Sequence, residues 1–211
     1  MTPLAPLRQW YLRRGRASYC ALMTRLWYGA GNVTVGARFR ADGVPRILVD
    51  RGASLEIGDD VEFRDGVEIR VHGTARVVIG NRVRIDRGVR ILAANDASVT
   101  IDADTRIGLY SVLNGGDSIY VGTGVLVSGF VYLQTSMHAH EALSTQIRDQ
   151  GYIHAPVSIG DGTWLAAHVV VMPGVTIGGG AIVGSNAVVT RDVEPNHVVA
   201  GVPAATIKIR K

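Results

Sequence analysis

Aliphatic residues recur at every sixth position in the C-terminal part of the chain. The fifth position of each hexad is small or β-branched, as at Val169, Val175 and Ala181. An α-helix would spread such residues over drifting faces, and an amphipathic strand would alternate strictly. The period of six therefore predicts short strands that turn a corner at each repeat, with the first residue of each hexad pointing inward. These first residues are Ile159, Leu165, Val171, Ile177, Val183 and Val189.

The same phase continues upstream with a longer repeat. Val35, Ile57, Ile79 and Ile101 are spaced 22 residues apart, so each coil holds three hexads and four further residues. The additions, such as residues 50–53, follow the third hexad and should lie at one corner. Three hexads close a triangular coil, and each coil buries its apolar face only against its neighbours. The pattern predicts an all-β fold, a parallel β-helix over residues 35–195.

One long interruption breaks the repeat. The hexad that starts at Leu133 is followed by about 20 residues before the next one starts at Ile159, and interruptions of a solenoid often carry function. His138 closes the hexad, and His140 and Glu141 come directly after it. A corner with a loop can form the wall of a cleft, so these residues are the first candidates for chemistry.

Composition sets the broad class of the protein. A chain of 211 residues suffices for one domain, and 26 glycines with only 6% aromatic residues favour a core of small side chains. The single Cys20 cannot form an intramolecular disulfide, which favours a cytoplasmic location. No Walker-type loop or Rossmann fingerprint is present. We therefore expect neither a nucleotide site of these two kinds nor a nucleic-acid partner.

The N-terminal segment, residues 1–30, differs from the rest and is predicted to be helical. No apolar run reaches the roughly 18 residues of a membrane-spanning helix. Two interpretations stay open: residues 7–28 lie at the inner face of a membrane, or they pack on the end of the β-helix. The basic and aromatic residues concerned are Arg8, Arg13, Arg14, Arg16, Arg25, Trp10, Tyr11, Leu22, Trp27 and Tyr28.

The hexads resemble those of the hexapeptide-repeat acyltransferases. The resemblance implies a left-handed β-helix over residues 31–211, with a loop insertion at 139–158, and a homotrimer with three sites between subunits. The segment 121–138 is similar to galactoside and maltose acetyltransferases, in which a Thr-x-x-His sequence carries the catalytic base. Here that sequence is Thr135-Ser136-Met137-His138, so the resemblance selects His138.

His140 is the alternative base. Polysaccharide acetyltransferases of this group often carry paired histidines here, so a pairing role is also open. A histidine suits the task because a sugar hydroxyl needs a base near neutral pH. Glu141 and Asp117 are candidate carboxylates for orienting the base. Tyr110, Asn114 and Glu141 are the residues that we expect to contact the acceptor.

The C-terminal coils resemble the coenzyme-binding coils of the same enzymes. The similar segments are residues 156–164, 173–178, 189–193 and 201–204. The resemblance implies that acetyl-CoA binds through five residues, and Ala205, where many relatives carry arginine, weakens that inference for the nucleotide end. The five are Trp164 beside the thioester, Ala167 and Ser185 at the pantetheine amides, and Arg191 and Lys208 at the phosphates.

The resemblance therefore predicts an acetyl-CoA-dependent O-acetyltransferase that acts on a sugar hydroxyl of a surface polysaccharide or glycan intermediate, without a metal. Three alternatives remain. The acceptor could be the amine of a nucleotide sugar. A carbonic anhydrase on the same fold would need three zinc-binding histidines, and we find no third beside His138 and His140. A β-helix scaffold without catalytic activity is the last.

Overall fold

The computed structural model describes residues 15–211, and the chain in this range winds around three parallel sheets. Up to Val189 each turn contributes one strand to sheet A, one to sheet B and one to sheet C, in that order along the chain, and the last two strands both join sheet B, where they pair antiparallel. The strands are two to five residues long and are numbered in chain order. The hexapeptide repeats indicate a left-handed β-helix. The predicted fold class is thereby confirmed.

Each of the three sheets forms one wall of the prism and contains the following strands. Sheet A contains β1 (Val33–Val35), β4 (Ser54–Ile57), β7 (Arg76–Ile79), β10 (Ser98–Ile101), β13 (Ile119–Val121), β18 (Val157–Ile159) and β21 (Thr176–Ile177). Sheet B contains β2 (Arg40–Ala41), β5 (Glu62–Phe63), β8 (Arg84–Ile85), β11 (Arg106–Ile107), β14 (Leu126–Val127), β19 (Trp164–Leu165), β22 (Ile182–Val183), β24 (His197–Ala200) and β25 (Ala205–Ile209). Sheet C contains β3 (Arg46–Val49), β6 (Glu68–Val71), β9 (Arg90–Ala93), β12 (Val112–Gly115), β15 (Tyr132–Gln134), β20 (Val170–Val171) and β23 (Val188–Val189).

The core consists of aliphatic ladders that run through the stacked coils. The first hexad residues point inward as predicted, since Ile159, Leu165 and Val171 have no exposed surface. The fifth hexad residues are buried too, as at Val169 and Ala181. The strands pair in parallel with a register of 22 residues in the first coils, for example Ile57 with Ile79. Each coil therefore hydrogen-bonds to the next while its apolar side chains stack beneath the same positions of that coil.

Glycine is needed where the chain turns from sheet A to sheet B. A Cβ atom on Gly160 would lie 2.5 Å from the backbone nitrogen of Gly179 in the next coil. A Cβ on Gly58 would lie 2.9 Å from the carbonyl carbon of Gly80. Successive coils thus approach each other too closely for a side chain here, which confirms the crowding predicted at the second hexad position.

One helix, α1 (Arg16–Tyr28), covers the start of the β-helix. Cys20, Ala21 and Thr24 are buried against the first strands. The Arg25 guanidinium donates hydrogen bonds to the carbonyls of Val35, at 2.8 Å, and Gly36. The predicted packing on the β-helix end is therefore present for this part of the segment, whereas residues 1–14 lie outside the described residues.

The opposite face of α1 exposes apolar side chains. Tyr19, Leu22, Leu26 and Trp27 are each more than half exposed, so contact of this face with a membrane stays a prediction. Within residues 15–211, no helix has the length and apolar character needed to cross a membrane.

The interruption forms an antiparallel hairpin at the corner between sheets C and A, here called the CA corner. Strand β16 (Ser136–His138) pairs with β17 (Tyr152–His154), and the tip contains a 3-10 helix, Ile147–Asp149. The chain leaves the prism directly after Thr135, three residues before the predicted insertion. The chain is back in sheet A by Val157.

Buried Thr135 fixes the base of the hairpin. Its hydroxyl donates to the carbonyl of Asn114 at 2.7 Å and accepts from the backbone N–H of Asp117 at 3.0 Å. The side chain of Gln150 braces the tip, because its amide donates to the carbonyls of Ala142 and Thr145. The hairpin is thus anchored at both ends by side-chain hydrogen bonds.

The core ladder predicts a large loss of stability for a truncation in the middle of the prism. Ile101→Ala should lower the free energy of unfolding by about 2–5 kcal/mol, because it leaves a cavity in a closed stack. Thr100→Ala, on the outward side of the same strand, is the matched control and should change it by less than about 0.5 kcal/mol. Chemical denaturation followed by circular dichroism measures both, and equal losses would contradict the ladder.

The hairpin base predicts a second effect. Gly116→Ala should displace the hairpin, because the added Cβ would lie 2.0 Å from Oγ of Ser136 and 3.0 Å from Nδ1 of His154. Hydrogen exchange in residues 136–154 should become faster while the melting temperature changes little. Combining it with Ser136→Ala removes the nearest clash and should restore part of the protection. Unchanged exchange in the single variant would show that the hairpin base is not tightly packed.

Candidate active site

His138 lies on the hairpin with its ring against an aromatic side chain. It is paired across the strands with Tyr152, and the two ring centroids are 4.4 Å apart at an interplanar angle of 33°. Ser136 and His154 form the next pair on the same face, with Oγ and Nδ1 2.9 Å apart. Alternate residues of a strand share one face, so this face of the hairpin presents two imidazoles, a phenol and a hydroxyl to solvent.

His140 is oriented by a different contact. Its Nδ1 is 3.0 Å from the carbonyl oxygen of His138. A carbonyl can only accept, so Nδ1 carries the hydrogen and the neutral ring keeps its lone pair at Nε2. Either histidine is therefore placed to accept a proton at the end of the hairpin.

The two candidate orienting carboxylates do not bond to these rings. Asp117 accepts a hydrogen bond from the backbone N–H of Ser118 at 2.6 Å, within its own turn. Glu141 lies exposed in the hairpin tip, and no hydrogen bond or ion pair joins it to another residue of the described part of the chain. Asn114 lies on sheet C next to Gln134, close to where the hairpin leaves the prism.

Trp164 lies on the outer face of sheet B. Its indole Nε1 donates to Oγ of Ser128 at 3.2 Å, and Leu126 and Ile182 flank it in register on the neighbouring strands. The surface beside it is an open groove of about 460 Å³, here called the sheet B groove. Its lining includes Arg84, Asp86, Arg106, Leu126, Ser128 and Trp164.

The remaining predicted coenzyme contacts lie on more than one side of the prism. Lys208, on β25, is paired with Val198 and shares a second groove with Trp164 on sheet B. Ala167 and Ser185 lie at the corner between sheets B and C, here called the BC corner, and the Ala167 carbonyl accepts from the N–H of Asn186 at 3.0 Å. Arg191 lies at the CA corner, two coils beyond the hairpin.

Tyr110 belongs to an aromatic stack along the BC corner. Its ring lies 5.6 Å from that of Phe130, which in turn lies 4.9 Å from that of His168 at an interplanar angle of 1°. All three residues have positive φ, between 53° and 61°, a strained conformation for aromatic residues. Sequence reasoning missed Phe130 and Ser128, although the fourth hexad position shared by Phe130 and His168 would have linked those two.

The predicted site residues fall into two groups on opposite sides of one chain. The first group lies at the CA corner, with Asn114 beside it on sheet C, and consists of His138, His140, Glu141 and Arg191. The second group lies on sheet B and at the BC corner. In a three-sided prism the CA corner is opposite sheet B. A single chain therefore does not bring His138 to Trp164. The second group consists of Trp164, Lys208, Ala167, Ser185 and Tyr110.

The histidines do not form part of a metal-binding cluster in the described chain. Among residues 15–211, no group of three or more His, Cys, Asp or Glu side chains is arranged to hold a metal ion. The zinc site of the carbonic-anhydrase alternative thus has no counterpart in this range.

Comparison with known proteins gives matches of two kinds. Residues 156–191 match the family model for bacterial transferase hexapeptide, six repeats. A probable acetyltransferase of Mycobacterium tuberculosis is 30% identical over 210 residues, covering 100% of this chain and 59% of that protein. Galactoside O-acetyltransferase of Escherichia coli is 36% identical over 92 residues, covering 43% of this chain and 44% of that protein. The chain thus spans about half the length of these relatives.

Solved structures share the same architecture. The polySia specific acetyltransferase NeuO superposes with a TM-score of 0.72 and 26% identity, over 86% of this chain and 85% of NeuO. AntD, an N-acyltransferase from Bacillus cereus, superposes with a TM-score of 0.62 and 18% identity, over 90% and 88% of the two chains, which shows a common fold. Residues 156–191 are thus similar to the hexapeptide repeats of bacterial transferases, and the Mycobacterium tuberculosis and Escherichia coli relatives are named as acetyltransferases.

Proposed function

We propose that this protein is an acetyl-CoA-dependent O-acetyltransferase that acts on a sugar hydroxyl of a polysaccharide or glycan intermediate. The observation that carries the proposal is the placement of His138. It stands on a hairpin at the one long break in the solenoid, held outward from the prism with its ring against Tyr152. The similarity to galactoside O-acetyltransferase supports a hydroxyl acceptor.

His138 acts as the general base. Its free ring nitrogen takes the proton of the acceptor hydroxyl as the oxygen attacks the thioester carbonyl of acetyl-CoA. The tetrahedral intermediate then collapses, the carbon–sulfur bond breaks, and the thiolate leaves with the proton that the imidazolium returns. His140 is the neighbouring base whose tautomer is set by the His138 carbonyl, and it can assist by holding the loop or by replacing His138.

The donor binds along sheet B and the BC corner. Trp164 flanks the thioester, and the backbone of Ala167 and Ser185 meets the pantetheine amides. The carbonyl of Ala167 is already bonded to Asn186, so its N–H is the group left for a ligand carbonyl. Lys208 is a permanent cation that suits the coenzyme phosphates, and Arg191 can add a second one only from the CA corner of a neighbouring copy.

The complete site lies between two copies of the chain in a homotrimer. His138 and Trp164 lie on opposite sides of one prism, so both can reach one acetyl group only if His138 of one copy approaches sheet B of the next. Arg191 lies at the same corner as His138 and Lys208 on the same sheet as Trp164. Donor and acceptor are therefore enclosed by two subunits that each supply half of the residues.

The base assignment predicts a large kinetic effect at one histidine. His138→Ala should lower kcat for acetyl transfer to a sugar by about 10²–10⁴-fold, the usual contribution of a general base. Binding of acetyl-CoA, measured by calorimetry, should be unchanged. His72→Ala, at a partly exposed imidazole of the first coils that lies 3.4 Å from Asp50, is the matched control. A larger loss in His140→Ala than in His138→Ala would transfer the role of base to His140.

The shared site predicts complementation between inactive variants. His138→Ala and Trp164→Ala homotrimers should each have little activity. Mixed trimers formed by co-expression should regain activity, because some sites then combine an intact His138 from one copy with an intact Trp164 from another. If each site were built within one chain, every site of the mixture would carry one defect, and the mixture would stay as inactive as its parents.

An acetyl-transfer assay with two acceptors shows whether the acetyl group goes to oxygen or to nitrogen. An amino sugar and its hydroxyl analogue are offered at equal concentration, and the acetylated product is identified by mass spectrometry. Exclusive transfer to nitrogen would replace the O-acetyltransferase by the N-acetyltransferase alternative. The absence of both acetyl-CoA binding and transfer would favour a scaffold.

A further inference from the structure

The charged side chains of the first coils are arranged in pairs across the turns. Arg38 and Arg82 each donate two hydrogen bonds to an aspartate one coil further on, Asp60 at 2.6 Å and Asp104 at 2.7 Å. Arginine hydrogen bonds are the main cause that lowers the pKa of each of these carboxyl groups below its usual value. Most basic groups of this surface are therefore matched by an acid from the neighbouring coil.

The outer ladder of sheet B departs from this balance at one step. Arg84 and Arg106 are direct neighbours in register, which places two like charges side by side. Such a pair is unfavourable in a sheet unless other charges compensate. Beyond Arg106 the ladder continues with Leu126 and Trp164, which are apolar.

The acidic side chains near Arg106 already have other partners. Glu62 lies 3.3 Å from Arg64 and 3.7 Å from Arg84, and Asp104 is held by Arg82. Oδ1 of Asp86 accepts from the backbone N–H of Arg87 at 2.7 Å. Within residues 15–211 no carboxylate lies within ion-pair distance of Arg106. Its guanidinium is thus the uncompensated cation of the sheet B groove.

We propose that the sheet B groove selects an acidic sugar as the acceptor and that Arg106 binds its carboxylate. This rests on the proposed function, in which Trp164 marks the position of the thioester. Arg106 and Trp164 are two strand spacings apart, about 10 Å, which suits one sugar ring between a carboxylate and the reacting hydroxyl. A planar guanidinium can bind a carboxylate through two parallel hydrogen bonds.

The charge of the groove distinguishes a sugar acid from a nucleotide sugar. Arg64, Arg84 and Arg106 line it together with Glu62 and Asp86, which leaves one net positive charge. A single carboxylate is neutralised by that charge. The two phosphates of a nucleotide sugar would bring further negative charge close to Glu62 and Asp86, so this class of acceptor is disfavoured.

Direct binding tests the proposal independently of turnover. The probes are methyl glycosides of glucuronic acid and N-acetylneuraminic acid, each with its methyl ester, which removes the charge and keeps the ring. The full-length protein with bound coenzyme A should bind at least one acid more tightly than its ester in calorimetry. Arg106→Gln should weaken binding of that acid by about tenfold or more, the loss expected for a charge-assisted pair, and leave the ester unchanged.

Arg40→Gln is the matched control. Arg40 occupies the same ladder of sheet B three coils away and also has no ion pair among the described residues, yet it lies outside the groove beside Trp164. It should change the binding of neither acid. Arg106 and Arg40 are both exposed, so neither substitution should affect folding.

The acidic acceptor and the proposed acetyl transfer can fail separately, and different results contradict each. If a neutral sugar is acetylated with full efficiency and Arg106→Gln has no effect on any acid, the acetyltransferase stands and the acidic acceptor is wrong. Tighter binding of a nucleotide sugar than of either acid also overturns it. If no sugar is acetylated but an acid still binds through Arg106, the groove is confirmed as a sugar-acid site and the proposed reaction fails.

Discussion

The structure depends on one constraint, the stacking of each coil directly on the one before it. Backbone N–H and C=O groups of a coil bond to its neighbours, so the register of every strand is fixed by the strands above and below. Inward side chains are held in the same register, and Ile79 therefore stacks on Ile57 and beneath Ile101. The inward positions are therefore apolar, mostly aliphatic, and glycine is needed at the crowded turns from sheet A to sheet B, whereas the outward positions of the strands are free to vary.

That freedom decides where chemistry can lie. Outward positions carry no packing demand, so one ladder on sheet B changes from charged residues at Arg84 and Arg106 to apolar residues at Leu126 and Trp164 without disturbing the core. Corners allow more, because residues inserted there need not break strand pairing. The hairpin that carries His138 leaves the prism at the corner where the first coils also hold their extra residues.

Much of the fold was predictable because the inward positions obey a short period. Ile159 and Leu165 are aliphatic and point inward, and Gly160 between them lies at the crowded turn where a side chain would clash with the next coil. The contacts of the site were less predictable. The ring of His138 meets Tyr152 because the interruption folds back as a hairpin, and hairpin register is not encoded by the hexads. The stack of Phe130 on His168 joins residues 38 positions apart across that interruption, so only their shared fourth hexad position links them, and the hexad phase does not encode the contact between the rings.

The same constraint explains why a second copy of the chain is needed for the proposed reaction. A prism with one strand per wall in each coil cannot fold its own corner over its opposite wall without breaking the stacked hydrogen bonds. His138 therefore cannot approach Trp164 of its own chain while the coils stay intact. In the proposed homotrimer, three prisms packed side by side would bring the corner of one against the wall of the next and leave every coil unchanged. Specificity can then be set on the wall, by Arg106, independently of the base on the hairpin.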